Sequence, residues 1–560
     1  MGLSKHPNSS VLFASPLISN PGYFLGLFGR QDNGQFFTET VSPVSQNLIL
    51  VSEVHKAPRQ ISVSLIAGGE KLDLGARPVD FRLRDSKARQ KAYLADAITK
   101  NQESTIIFAN GPGDAEDVVE ELKIICSEAE TSEELQDFIN FIKSEIHEEH
   151  PLIESLPKGI AFHYGDMPSI VRSGIENFFR NNELRFLCCT STLLQGVNLP
   201  AKHIVIENPY SGKRPMNRSD FLNLAGRAGR LLHEFHGNIW CLRPGEWKED
   251  SYQGDQLQKI ESSMSKIMDD GGTLIHELLS GKTTEEITEL AEASFSRLFH
   301  ESNDLTDDEL HEKYKTTENQ ENLKVSINLV RSLEITLPSE ILESHSTLRP
   351  DHLQDLYNKF RENLYIEELT LINPFTTGGK SRMAKAVDII SEAFEWEMSQ
   401  RYRNWICTLA HQWVTGKTIG EFLKERVNFK RRDDNNTQSA SSIIRELLGI
   451  IEKDIRYKLV KYFSAYEDIL TCAQNDRGIP SELCKQAPYH TFLEFGSCIP
   501  IELSLMSLGF SRFTAHRLRN QIDWGDAKDI EDYIDILKSV NLERLSIPKI
   551  CKREIRDLLA

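Results

Sequence analysis

The stretch Arg185-Phe186-Leu187-Cys188-Cys189-Thr190-Ser191-Thr192 decides the fold. Its first half is short and continuously apolar, which is how a strand buried on both faces reads. Its second half is three hydroxyls in a row. Similar short runs recur on either side: Thr105-Ile106-Ile107-Phe108-Ala109, Gly159-Ile160-Ala161-Phe162-His163, His203-Ile204-Val205-Ile206 and Asn238-Ile239-Trp240-Cys241-Leu242. Between them lie helical patterns at Ser86–Lys100, Asp114–Cys126, Glu133–Glu148 and Ser169–Arg180. Apolar strands alternating with amphipathic helices predict a mostly parallel sheet covered on both faces.

The chain has 560 residues. At about 150 residues per domain, three or four domains are expected. Residues 1–85 are rich in strand signals, notably Leu48-Ile49-Leu50-Val51 and Ile61-Ser62-Val63-Ser64-Leu65-Ile66, with turn formers at Asp32-Asn33-Gly34 and Gly68-Gly69. After Trp247 the pattern becomes helical, as in Thr284–Phe299, Leu353–Glu367 and Ser441–Ala465, where apolar residues recur at helical spacing. Asp433–Thr437 reads as an exposed loop.

Sixty-five basic residues against 83 acidic ones give a net charge of −18, so bulk positive charge cannot bind nucleic acid; any phosphate contact must be local. A hydrophobic content of 39% with 26% charged residues fits a globular chain. The apolar stretch Val11–Phe28 is broken by Pro16, Asn20, Pro21 and Gly22, so no membrane partner is expected. Nine cysteines without a C-x-x-C pair argue against a disulfide framework or a zinc ribbon and predict a reducing, cytoplasmic setting and no metal site.

Open parallel sheets bind ligands in the crevice beyond the carboxyl ends of their strands. Those ends carry Asn110-Gly111-Pro112-Gly113, Tyr164-Gly165-Asp166-Met167, and the run Thr190 to Pro200. Further on, Ser219 is placed to cap a helix from Asp220 to Arg230, which would set Arg227 and Arg230 three residues apart on one face. Arginine is permanently charged and forked, and suits a developing phosphoryl charge. His163 follows an apolar strand with no Ser or Cys nucleophile motif nearby, so its expected role is structural or nucleic-acid-adjacent rather than acid–base catalysis.

In order and spacing, IIFANG (106–111), GIAFHYGDM (159–167), TSTLLQGVNLP (190–200) and LAGRAGR (224–230) resemble the motifs of the second RecA-like lobe of superfamily 2 helicases, closest to the Ski-like group. The resemblance implies a RecA-like lobe over residues 86–250. It implies that Arg227 and Arg230 act as arginine fingers on ATP. Gly196, Asn198 and Asn223 would lie near the nucleotide, Asn223 replacing the usual longer glutamine. Thr190, Ser191, Thr192, Asn110 and Gly165 would touch nucleic acid, DNA or RNA. Phe13-Ala14-Ser15-Pro16-Leu17-Ile18-Ser19-Asn20-Pro21 is similar to a variant motif ending the first lobe, with Ser15 as the coupling residue. That motif and the helical tail also resemble the helicase subunit of Hachiman-type anti-phage systems.

A complete motor needs a P-loop and a D-E-x-H strand to hold Mg²⁺. Ser280-Gly281-Lys282-Thr283-Thr284 and Thr415-Gly416-Lys417-Thr418 do not qualify: His276 and His411 stand five residues before the glycine, and neither string follows a buried strand. Both predict helix–turn–helix joints, and Thr306-Asp307-Asp308-Glu309 predicts a helix N-cap. The expectation is a split or truncated first lobe, or a frame begun at an internal Met. Residues 1–85 would be its remnant and a β-rich linker, and an upstream lobe or subunit would supply the P-loop and the Mg²⁺ ligands. The chain alone would then not hydrolyse ATP. The other reading is a non-catalytic nucleic-acid adaptor derived from a helicase.

By the same resemblance, residues 251–340 would be winged-helix-like, 341–490 a helical ratchet and 491–560 helix–hairpin–helix-like. Lys424, Arg426, Lys430, Arg431 and Arg432 form a local basic patch. In the hairpin, Gly509 would allow the turn. Arg512 would open a helix whose N-terminus can meet a phosphate, although Ser511 replaces the usual second glycine.

Overall fold

The computed structural model describes residues 12–13, 18–27, 35–37, 44–67, 69–100, 103–191, 199–229, 236–255, 257–280, 285–316, 318–433, 435–525, 527 and 529–559. Two compact units emerge. One is Met1–Ile260, Thr418–Gly449 and Leu508–Ala560; the other is Glu261–Lys417 and Ile450–Ser507.

The first unit is built on an α/β sheet. Its strands are β1 (Ser45–Glu53), β2 (Gln60–Ala67), β3 (Glu70–Pro78), β4 (Thr105–Phe108), β5 (Ile160–His163), β6 (Phe186–Cys189) and β7 (His203–Glu207). A small hairpin follows, β8 (Tyr210–Ser211) with β9 (Arg214–Pro215), and then β10 (His236–Leu242). The large sheet has the order β3-β2-β1-β10-β7-β4-β6-β5. From β5 to β1 all pairings are parallel; β2 and β3 add antiparallel strands at one edge. Every residue of β4, β5, β6 and β7 is buried, as their unbroken apolar runs predict. Ile204, Ile106 and Leu187 lie side by side across three strands with no exposed surface.

Helices Lys87–Ile98, Pro112–Ile125, Glu133–Glu145 and Ser169–Arg180 flank the sheet order as expected. Ser86 and Ser132 cap two of them by accepting the backbone N–H of Arg89 and Leu135 at 3.3 and 3.1 Å. Residues 45–78 belong to the same sheet: Ile49 pairs with Trp240 in parallel and with Leu65 in antiparallel register. Ahead of them, Ile18 bridges to Gln258, and Asn20 exchanges two 2.8 Å hydrogen bonds with the backbone of Ile260.

The second unit is helical, its longest elements being Glu285–Asp304, Gly379–Ala393, Gln400–Val414 and Val460–Asp476. Among the described residues, 251–340 hold helices and no strand pair of the kind that makes a wing. Thr306 caps Asp307–Tyr314 with a full capping box, and Thr418 caps Ile419–Arg431 in the same way. Gly416, at φ +97°, ends Gln400–Val414, so 415–418 is the helix–turn–helix joint expected there. Residues 281–284 of the other P-loop-like string lie outside the described residues.

The compact units do not follow the expected divisions at 341 and 491. Thr418–Gly449 and the C-terminal 50 residues or so pack on the α/β lobe because glycines let them approach closely. A Cβ on Gly420 would lie 2.7 Å from the carbonyl oxygen of Glu145, and one on Gly174 would lie 2.8 Å from Ile550.

Candidate nucleic-acid and nucleotide site

At the carboxyl edge of the sheet, neighbouring strands β4, β6 and β5 bring Asn110, Thr190, Ser191 and Gly165 together. The ends are laced by the backbone: Ala109 N–H donates to Cys189 at 2.8 Å and Thr190 N–H to His163 at 3.4 Å. Thr190 is buried, Ser191 half-buried, and Gly165 sits in a turn closed by Met167 N–H on Tyr164.

Asn110 has a bracing task there. Its amide donates to the Asn208 carbonyl at 3.1 Å and its Oδ1 accepts the Tyr210 N–H at 2.9 Å, tying the end of β4 to the loop after β7. Its own N–H donates to Asp114 at 2.9 Å. Asp114 in turn pairs with Lys91, whose ammonium is fully buried and 2.7 Å away. This pair, buried at its lysine end, fixes the first turn of Pro112–Ile125. His163 is likewise structural: its Nε2 lies 3.0 Å from Glu176 Oε1, joining β5 to helix Ser169–Arg180.

A second cluster lies beside the same edge. Glu116 accepts from Tyr164 Oη at 3.4 Å and also binds Ser441 and Arg445. The Arg445 guanidinium stands 3.7 Å from where a Cβ on Gly113 would be. Arg445 is separated from Glu116 by 329 positions, so no local spacing marks the pair.

The arginine motif is arranged differently from the helix expected over Asp220–Arg230. The helix is Arg218–Ala225; Asn217, not Ser219, caps it by accepting the Asp220 N–H at 2.8 Å. It ends at Ala225 because the chain must then turn under the sheet. Ala228 forms a parallel bridge with Ala201, Ala201 N–H donates to the Arg227 carbonyl, and Gly229 adopts φ +96°. Asn223 stays on the helix, half-buried. Arg227 is therefore in a turn beyond the end of that helix. Arg230, Gly196, Asn198, Thr192 and Ser15 lie outside the described residues.

Arg227 is half-buried. Burial holds its guanidinium below the ordinary arginine value, with the Cys189 thiol opposing. Cys189 itself is pushed up to about 12 by burial, so it stays a neutral thiol.

Elsewhere the predicted phosphate contacts meet carboxylates of the chain itself. In the basic patch Arg426 pairs with Glu446 at 3.0 Å, Lys430 with Glu446 at 3.6 Å, and Arg431 with Glu149 at 2.6 Å. In the hairpin, Gly509 has the left-handed φ of +105° that its turn needs, and Ser511 caps Arg512–Arg519. The end of that helix is already filled: the Ser511 N–H and hydroxyl both donate to Glu554 at 2.8 Å, and Thr514 donates to it as well. Arg512 is half-buried beside this cap.

Comparison with known proteins agrees with the lobe. Residues 90–231 match the model of the helicase conserved C-terminal domain. Anti-bacteriophage protein B of Escherichia coli is 24% identical over 478 residues, which cover 83% of this chain and 58% of that protein. The ATP-dependent DNA helicase Hel308 of Aeropyrum pernix is 35% identical over 124 residues, 21% of this chain and 17% of its own length. Hachiman protein HamB of Bacillus cereus is 33% identical over 96 residues, 17% of this chain and 9% of its own length. The chain thus spans less than two thirds of each of these relatives. Parallel sheet, ordered strand-end motifs and the matched model agree that residues 90–231 carry a helicase conserved C-terminal domain, and the relatives this chain resembles are named as helicases and anti-phage proteins.

Proposed function

We propose that the chain is the second-lobe and helical portion of an ATP-dependent nucleic-acid helicase or translocase. The observation that carries this reading is the ordered set of strand-end motifs along one parallel sheet, with half-buried Arg227 on a turn pinned to Ala201 and Gly237. Bound ATP with Mg²⁺ supplies the phosphoryl group whose hydrolysis drives such motors. In this reading Arg227 and Arg230 stabilise the charge that develops during transfer. Gly196, Asn198 and Asn223 border the nucleotide. Thr190, Ser191, Thr192 and Gly165 grip the nucleic-acid backbone, with Asn110 holding their loops in place. Ser15 couples the nucleotide state to the grip. The P-loop and metal carboxylates come from a first RecA-like lobe.

The names of anti-bacteriophage protein B and Hachiman protein HamB support a place in anti-phage defence, in which the motor would act on nucleic acid as one subunit of a complex. The test is ATP hydrolysis by the pure chain, with and without a first lobe, in the presence of single- and double-stranded DNA and RNA. Turnover is expected only with the first lobe and nucleic acid together, and Arg230→Ala should abolish it. Appreciable turnover by the chain alone would refute the assignment.

A further inference from the structure

Within the unit formed by Glu261–Lys417 and Ile450–Ser507, a cavity of about 1230 Å³ opens among Glu285–Asp304, Pro350–Glu362, residues 391–399 and residues 457–462. One wall is aromatic. Phe394 and Tyr462 stack with ring centroids 4.6 Å apart and planes 10° apart, and Trp396 lies 5.8 Å from Tyr462. The backbone at Ile451–Leu459 is π-helical. Such wide turns are rare and recur at functional sites. Here the turn and the residues after it deliver Tyr457, Lys458, Lys461 and Tyr462 to one cavity.

The charges of the lining divide into committed and uncommitted groups. Arg349 pairs with Asp351 at 2.6 Å, Arg403 with Asp388 at 3.1 Å, and Glu392 with Lys359 at 3.0 Å. The Lys458 ammonium lies 5.8 Å from the Trp396 ring centre, so this wall already attracts a cation of the chain itself. Glu289, Glu292 and Glu397 form no ion pair among the described residues. Burial pushes the Glu292 carboxyl up and holds Lys461 down, while each favours the charge of the other.

His352 adds a separate pointer. It is 4% exposed, it lines this cavity, and its Nε2 has no hydrogen-bond partner, although the Glu395 carboxylate lies 3.5 Å away. Burial holds its imidazole down to about 4, so the ring is neutral at neutral pH. A buried ring nitrogen without a partner costs stability unless a ligand meets it.

Aromatic faces beside surplus carboxylates attract an organic cation through both ring quadrupole and charge. A phosphate would meet repulsion from Glu289, Glu292 and Glu397 instead. The volume exceeds the roughly 300–1,000 Å³ of small-molecule sites, so the cation is carried on a larger body. We propose that this cavity receives an arginine side chain presented by a partner polypeptide, its guanidinium lying between the aromatic wall and Glu289 and Glu292. Arginine is preferred to lysine because its plane stacks on rings and is weakly hydrated. The proposal stands apart from the motor reading and does not depend on it.

The test is fluorescence polarisation of the full chain with a labelled Gly-Arg repeat peptide, its uncharged citrulline counterpart, spermidine as competitor, and a single-stranded oligonucleotide as competitor. The arginine peptide should bind and the citrulline peptide should not. The double variant Glu289→Gln, Glu292→Gln and the single variant Trp396→Leu should each weaken binding roughly tenfold. The control pair Glu321→Gln, Glu340→Gln, which removes the same charge from exposed positions, should leave binding unchanged. Equal binding of the citrulline peptide, equal loss in the control pair, displacement by the oligonucleotide, or a preference for spermidine over the peptide would overturn the proposal.

Discussion

A Cβ on residue 237 would stand 2.2 Å from the carbonyl carbon of Ala228, so Gly237 forms the bare floor over which the arginine turn crosses. Gly229 answers from above: its Cβ would lie 2.4 Å from Val44, and its φ is +96°. Gly229 and Gly237 are therefore steric requirements of the crossing. Gly237→Ala should cost about 2–4 kcal/mol, since neither backbone can yield by a flexible side chain. Gly245, with nothing within 4 Å of its Cβ and an ordinary φ, is the control. Urea unfolding of both variants checks this; equal midpoints would show that the crossing is loose.

Lys91 is a buried ammonium whose ion-pair partner, Asp114, is half-buried. Asp114→Ala should lower stability by about 3–5 kcal/mol, because it strands an ammonium in the core and frees the Asn110 N–H. Lys91→Met should cost much less, since it removes the charge together with its need for a partner. Denaturation midpoints of the two variants, with the order reversed, would contradict the account.

Acid sensitivity follows from His150. In the fold it is fully buried, stacked 5.8 Å from Phe162, and its Nδ1 accepts the Leu152 N–H. Burial depresses it from 6.5 to about 3. Between those values the unfolded chain binds a proton that the folded chain refuses. Stability is therefore complete above pH 6.5 and falls as pH drops toward 3, by up to about 1.4 kcal/mol per pH unit from this group. His147, lowered in the same direction by burial, adds to the slope. His150→Asn, which keeps an acceptor for Leu152, should flatten the pH dependence of thermal unfolding; an unchanged slope would remove His150 as its source.

Glu554 occupies the place a phosphate would take at the start of Arg512–Arg519. Glu554→Gln should cost about 1–2 kcal/mol through the loss of charge-assisted bonds. Amide exchange at residues 511–514 should quicken in the variant. Unchanged exchange would show that Ser511 alone suffices as the cap.

The lobe was legible because strands buried on both faces advertise themselves as unbroken apolar runs, and helices between them leave few topologies open. The turn at 226–229 was not. Leu224-Ala225-Gly226-Arg227-Ala228 reads as helix, and only Ala201 and Gly237, distant in sequence, pull it straight. The same holds for Glu116 with Arg445 and for Ser511 with Glu554: each acid meets its partner through tertiary packing. Periodicity over Ser441–Ala465 marks a helix, but the backbone hydrogen-bond pattern that makes Ile451–Leu459 π-helical leaves no residue-type signature in it. Strands β1 and β2 were visible as strands, while the largely exposed β3 carries no apolar run to mark it; their membership in the second-lobe sheet was not visible, because register with β10 leaves no local mark.

The most direct measurement is the rate of ATP hydrolysis by this chain joined with a first lobe, comparing Arg227→Ala with the parent chain on single-stranded nucleic acid. The account predicts that kcat falls by roughly 10³–10⁵, as for other arginine fingers, while nucleic-acid affinity stays within about twofold. An unchanged kcat, or a loss of nucleic-acid affinity that accounts for the whole effect, would contradict it.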